Sequence, residues 1–342
     1  MTKKNLLVVV KTVLPLLLGF YLIWVFFSGM SAEAKALFYQ AIREANYFWI
    51  ILSMVIGVLA YLSRAYRWKY VLEPIGYSTQ FWNRYHAIMI GYIVNLTIPR
   101  AGEASRSAML YRSDGVPFSS SFGTIIAERA IDLVMLGLIA IVTAFIGYAD
   151  FFEIKALIIN EFGGVKGSVQ SGFPWKIVVF SLVLAIGLVF TYLFMFRLAF
   201  RTKLIEFGKD VLKGLVSIFK SKNPGAYVFH TLFIWGCYIA MFALPFQSLH
   251  QTTDVSFPGI LLAFIAGSLG ITFTNGGIGT YPLLVGLVVA FYIGKQYPED
   301  AQAIGNALGM LIWVTQTLLM ILLGLISLVL LPKNYSKENE PS

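Results

Sequence analysis

The chain has 342 residues, of which 58% are hydrophobic and only 13% charged, with a formal net charge of +9. Soluble domains carry about 25% charged residues, so a chain this long with a mean hydropathy of +0.76 is excluded as a soluble enzyme, a disordered protein or a nucleic-acid binder. The basic surplus is therefore read first as membrane topology.

A bilayer core about 30 Å thick needs roughly 20 apolar residues per helix. Runs at 5–27, 46–63, 119–149, 175–196, 227–247 and 303–331 are long enough to span. The first follows Lys3 and Lys4 and precedes Ala32-Glu33-Ala34, but it exceeds a signal-peptide core of about 7–15 residues. It is read as a retained helix. Three runs are shorter. Residues 85–98 stop at Pro99, and 257–274 and 282–294 are separated by Asn275-Gly276-Gly277-Ile278-Gly279-Thr280-Tyr281. Glycines this close together break a helix.

With a cytoplasmic N-terminus, 28–45 is an outside loop, while 64–84 and 100–114 are both basic and both inside. Two basic flanks on one side make 85–98 and 101–113 a re-entrant hairpin broken near Pro99. Acidic Asp254 at one end and Glu299 and Asp300 at the other make 257–274 and 282–294 a second hairpin, entering from outside. Residues 197–226 read as an amphipathic interfacial helix on the cytoplasmic side. Most of the 26 Lys and Arg then lie inside, as the positive-inside rule requires.

The expected fold is an all-α polytopic membrane protein with about six full spans and two re-entrant helical hairpins in an inverted-topology repeat. The half-repeats are about 1–149 and 175–331 within a single integral domain, 1–332. Residues 333–342 form a short cytoplasmic tail, so both termini are cytoplasmic. Such repeats place substrate sites near the midplane at broken helices.

Two stretches carry ionisable residues at membrane depth. In Asn95-Leu96-Thr97-Ile98-Pro99-Arg100-Ala101-Gly102-Glu103-Ala104-Ser105-Arg106, a Pro-x-x-Gly turn is followed by Glu and Arg three apart, on one helix face. In Glu128-Arg129-Ala130-Ile131-Asp132, Glu128 and Asp132 share a face near the start of a long apolar helix. Charges inside a span are costly and either pair or line a polar cavity. Asn95, Arg100, Glu103, Arg106, Glu128, Arg129 and Asp132 are thus expected to surround a pocket at the cytoplasmic end of the core. An arginine there can grip a phosphate headgroup bidentately; the same residues can equally form a purely structural ion-pair network. Pro99, Gly102, Asn275, Gly276, Gly277 and Gly279 are the hairpin turns. The late glycines either expose backbone N–H groups to an anion or serve only as a tight turn. Gly305 and Gly309 form a small-residue packing face, used either internally or across a homodimer.

The pattern N-x-x-x-P-R-x-G-E-x-x-R, then E-R-x-x-D, then a late G-G-I-G turn resembles the flippase-like family, also called the lysylphosphatidylglycerol synthase transmembrane region. That family is similar to the membrane half of the bacterial multiple peptide resistance factor, which moves aminoacylated phosphatidylglycerol between leaflets. The resemblance implies a lipid-translocating protein of the bacterial cytoplasmic membrane. Its cargo would be a phospholipid or polyprenyl-linked lipid, supplied by a separate lipid-synthesising enzyme. By position it carries Asn95, Pro99, Gly102, Glu103, Arg106, Glu128, Arg129, Asp132, Gly276, Gly277 and Gly279. The chain departs from the family at Pro282, where an acidic residue is usual, and it has no aminoacyltransferase domain.

No enzyme, cofactor, metal or nucleic-acid role is expected. Single Cys237 and the isolated His86, His230 and His250 supply no thiolate or imidazole cluster. Ser268 has no evident activating base. The rival readings are a transporter or channel for a small ion or metabolite and, less favoured, a lipid-modifying membrane enzyme.

Overall fold

The computed structural model describes residues 28, 32–98, 101–147, 202, 205, 206, 209, 221–273, 277 and 279–331. The run at 5–27, Pro99, Arg100, the 150–174 loop, the 175–196 run, most of 197–226, Asn275, Gly276 and the tail at 333–342 lie outside the described residues.

Among the described residues all regular structure is helical. The helices are α1 (Ala32–Glu44), α2 (Tyr47–Leu72), α3 (Phe81–Thr97), α4 (Gly102–Asp114), α5 (Phe118–Ile146), α6 (Pro224–Ala243), α7 (Phe257–Phe273), α8 (Thr280–Ile293) and α9 (Ala301–Leu330). Local chemistry sets the ends. The Asn46 side chain accepts from the Phe48 N–H to start α2. Gly115, at φ 70°, ends α4 in the left-handed conformation that a glycine adopts without strain. Pro224 opens α6, where its missing N–H costs nothing.

Among the described residues, four stretches are long and apolar enough to cross a membrane: Tyr47–Ile75, Phe118–Ile146, Pro224–Gln247 and Ala301–Leu330. They match four of the six expected spans, with two differences. The 28–45 segment is not a loop, since α1 occupies most of it and packs on α9. The span expected to end at 63 continues to Leu72, so Arg64 and Arg67 belong to the helix and are buried, not displayed in a basic loop.

Both breaks expected from Pro and Gly are present. The α3–α4 pair folds back on itself. Gln80 N–H donates to Asp114 Oδ1 at 3.0 Å at the open end, and Gly102 N–H donates to Asn95 Oδ1 at 2.6 Å at the tip. The α7–α8 pair does the same. Thr280 Oγ1 donates to Gly270 O at 2.8 Å near the tip, and Gly259 meets the Tyr292 ring near the base.

Each tip reaches the middle of a long helix. Gly102 and Glu103 lie level with Arg129, three residues from Asp132 at the centre of α5. Gly277, at φ +80°, packs against Trp313 near the centre of α9.

The order long helix, hairpin, long helix occurs twice, and the packing follows it. Helices α2 and α6, first in each set, lie against each other antiparallel. Ser53 Oγ donates to Met241 O at 2.7 Å at one end, and Arg67 donates to Thr231 at 3.3 Å at the other. Gly57 lets the Met241 side chain approach between them. α3 packs on α9, and α7 packs on α5; α4 lies on α5 as α8 lies on α9. The α8–α9 seam is built from Gly286, Gly305 and Gly309, whose missing side chains let the two backbones touch. The Gly305/Gly309 face is therefore occupied within the chain.

Candidate functional site

One buried carboxylate organises the centre of the molecule. Glu128 on α5 is 2% exposed. Its Oε1 lies 2.5 Å from Arg64 Nη2 and 2.9 Å from Arg67 Nη2, both on α2. Its Oε2 accepts from Arg106 Nη2 on α4 at 2.8 Å, and Oε1 takes the second Arg106 bond at 3.3 Å. One turn on, Asp132 presents Oδ2 to Arg64 and Oδ1 to Arg67, each at 3.1 Å. The four-residue spacing of Glu128 and Asp132 lets one helix face receive both guanidiniums.

Aromatic groups hold the cations in place. The Arg106 guanidinium lies 3.8 Å from the centre of the Trp68 ring, and Trp68 Nε1 donates to Thr124 Oγ1 at 2.9 Å. Arg64 Nη1 also donates to the hydroxyls of Tyr92 and Tyr238, each at 3.0 Å. The planar, delocalised guanidinium suits both the forked ion pair and the stacking.

A second, more open layer lies at the hairpin tip. Arg129 Nη2 meets Glu103 Oε1 at 3.1 Å, and Arg129 Nη1 reaches Asp132 Oδ2 at 3.5 Å. Asn95 accepts from Gly102 and donates to Glu103 Oε2 at 3.5 Å, tying the break in the hairpin to the charge network. Ile88, Gly91, Tyr92, Asn95, Gly102, Glu103, Arg106 and Arg129 line a narrow cleft here. It has room for about one water molecule.

All six described members of the expected pocket, Asn95, Glu103, Arg106, Glu128, Arg129 and Asp132, join one continuous network. Arg100 lies outside the described residues. Along α5 the network stands further in than expected. α5 begins at Phe118, so Glu128 to Asp132 stand at the middle of the helix and not near its start.

Sequence reasoning missed Arg64 and Arg67, which touch Glu128 and Asp132 directly. Their only local signal is a pair of arginines three apart at the end of an apolar run, which reads as readily as a basic loop. It also missed a Ser–His pair: Ser63 Oγ and His230 Nδ1 lie 2.8 Å apart, with the imidazole stacked between Tyr66 and Tyr70. Ser268 is turned back on its own helix, donating to Phe264 O at 2.8 Å.

The charge balance of the network is uneven. Four guanidiniums (Arg64, Arg67, Arg106, Arg129) meet three carboxylates (Glu103, Glu128, Asp132). The Nε donors of Arg64, Arg67 and Arg106 are buried without a hydrogen-bond partner among the described residues. Buried donors of this kind are costly, and a positive surplus at the middle of membrane helices is costlier still. The arrangement suits an added anion.

A family model described as the lysylphosphatidylglycerol synthase TM region matches residues 12–297. A UPF0104 membrane protein of Methanocaldococcus jannaschii is 25% identical over 134 residues, which is 38% of this chain and 37% of that protein. The chain thus matches little more than a third of that relative's length. No solved structure matches it significantly.

Proposed function

The chain belongs to the lysylphosphatidylglycerol synthase TM region family, and on that premise we propose that it moves a phosphate-bearing lipid headgroup between the leaflets of the bacterial cytoplasmic membrane. The observation that carries this reading is the guanidinium-rich network between the middle of α5 and the last third of α2, beside the tip of a broken hairpin. Ionisable residues at such depth mark the path of a charged substrate. Non-helical backbone is tolerated there where it is buried in protein or lines a wet cavity.

The packing supports the same reading. Two hairpins that stop at mid-helix are the shape of re-entrant segments. The exchange of α2 with α6, α3 with α7, α4 with α8 and α5 with α9 leaves the main contacts in place, as an inverted repeat would. Transporters of that design hold their substrate at the repeat interface. Only the first hairpin carries charge: α7, α8 and α9 contain no Asp, Glu, Lys or Arg. One headgroup station is therefore built in, on the first half.

The protein acts in this reading as a carrier and not as an enzyme. A separate lipid-synthesising enzyme supplies the cargo. The test is transbilayer movement of fluorescent phosphatidylglycerol in reconstituted vesicles, read by its access to an external quencher. The intact protein is expected to speed the movement over empty vesicles. Arg106→Ala is expected to abolish the gain while still inserting. Vesicles that move no phospholipid but release a small trapped solute would replace this reading with a solute pathway.

A further inference from the structure

Beyond the charged network, the C-terminal half of α5 is largely exposed. Leu133, Val134, Leu138, Ile141, Val142 and Phe145 recur at helical spacing on one side and are 51–85% exposed. Arg129, whose side chain is 42% exposed, stands one turn before Leu133 at the edge of this exposed half of the helix. It is where this exposed face meets the charged network. Eleven residues into α5, it lies roughly 16 Å along the helix axis, well inside a hydrocarbon core of about 30 Å centred on that helix.

The four guanidiniums are not equally free. Arg64 and Arg67 are buried and each bridges two carboxylates. Arg106 is clamped by both of its Nη atoms and by Trp68. Arg129 alone among these four rests on partly exposed contacts, with Glu103 at 3.1 Å and Asp132 at 3.5 Å. Glu103 belongs to the hairpin and Arg129 to α5, so their ion pair closes the outer edge of the cleft lined by Asn95, Tyr92 and Arg106.

We infer that Arg129 takes the phosphate of a lipid arriving sideways along α5, and that Glu103 is the anion which that phosphate displaces. This rests on the translocation reading and assigns its point of access. Exchanging one oxyanion for another leaves Arg129 neutralised throughout. The incoming charge also balances the positive surplus of the network behind it, while the acyl chains stay against the apolar stripe. A phosphate held at this depth belongs to neither leaflet, so the occupant is a lipid in transit.

The test measures retention, not movement. The protein is placed in phosphatidylcholine vesicles doped with spin-labelled phosphatidylglycerol, or with spin-labelled diacylglycerol, which has no phosphate. The intact protein is expected to immobilise phosphatidylglycerol in preference to diacylglycerol. Arg129→Gln is expected to cut that preference about tenfold, the worth of one charge-assisted hydrogen bond, and Arg129→Lys to restore part of it. Glu103→Gln removes the competitor and is expected to raise the preference above that of the intact protein. If Glu103→Gln lowers it as Arg129→Gln does, the pair only holds the hairpin and the inference is overturned.

Thermal unfolding checks that each variant is folded. Should Glu103→Gln prove unstable, Glu103→Asp shortens the reach to Arg129 and tests the same sign. Inorganic phosphate in the buffer is expected to leave retention unchanged; displacement of the lipid by it would make the cleft a water-side anion site and overturn lateral access. Unchanged lipid preference in a protein that moves no lipid would sink translocation and spare this assignment. Lost preference with intact movement would do the reverse.

Discussion

Glu128 receives three guanidiniums at hydrogen-bonding distance while 2% exposed. Desolvating these ions costs several kcal/mol each, so the network persists only because every carboxylate oxygen is used. Removing the central anion leaves Arg64 and Arg67 with Asp132 alone and the buried Arg106 with no carboxylate. Glu128→Gln is therefore expected to destabilise the protein by about 3–5 kcal/mol, seen as a lowered unfolding midpoint in detergent micelles. Arg106→Lys tests the other side of the pair. It keeps the charge but loses the second bond to Glu128 and the planar stack on Trp68. Its midpoint is expected to fall nearly as far as that of Arg106→Ala, whereas a site that needed only positive charge would tolerate the lysine.

At the scale of the element, the first hairpin depends on two glycines. A Cβ on Gly102 would overlap the Gly91 carbonyl oxygen and the Asn95 amide, the group that ties the tip to Glu103. Gly102→Ala is thus expected to cost about 1–3 kcal/mol through overpacking and to slow lipid movement by shifting the tip. Gly137 is the control. It lies on the exposed side of α5 with nothing within 4 Å of an added Cβ, and Gly137→Ala is expected to stabilise the helix by about 0.5–1 kcal/mol. Equal gains in both variants would mean that helix propensity, not hairpin packing, sets the response.

At the scale of the whole molecule, the proposed inverted repeat has α3 and α4 entering and leaving on one side of the membrane, in keeping with the contact between Gln80 and Asp114 at the open end of the pair. Ser78 precedes the hairpin and Ser113 lies at its exit. In a Cys237→Ser background, cysteines at these two positions are expected to react with an impermeant maleimide from the same side, the cytoplasmic one. Labelling from opposite sides would make α3 a full crossing and remove the correspondence between the two halves.

The sequence by itself determined the membrane class, the long apolar helices among the described residues, both hairpin breaks and six members of the charge network. These are local properties: hydropathy sums over neighbours, Pro and Gly act on their own backbone, and Asn95, Glu103 and Arg106 lie within one turn-and-helix segment. Only the tertiary structure decided that Arg64 and Arg67 share Glu128, more than sixty residues away in the chain. It also decided that the network stands at mid-helix, and that Gly305 and Gly309 pack inward on α8. Those facts follow from where each helix starts and how it is rotated against its neighbours. The rotation is set by small residues meeting across helix pairs, and no spacing within one segment encodes it.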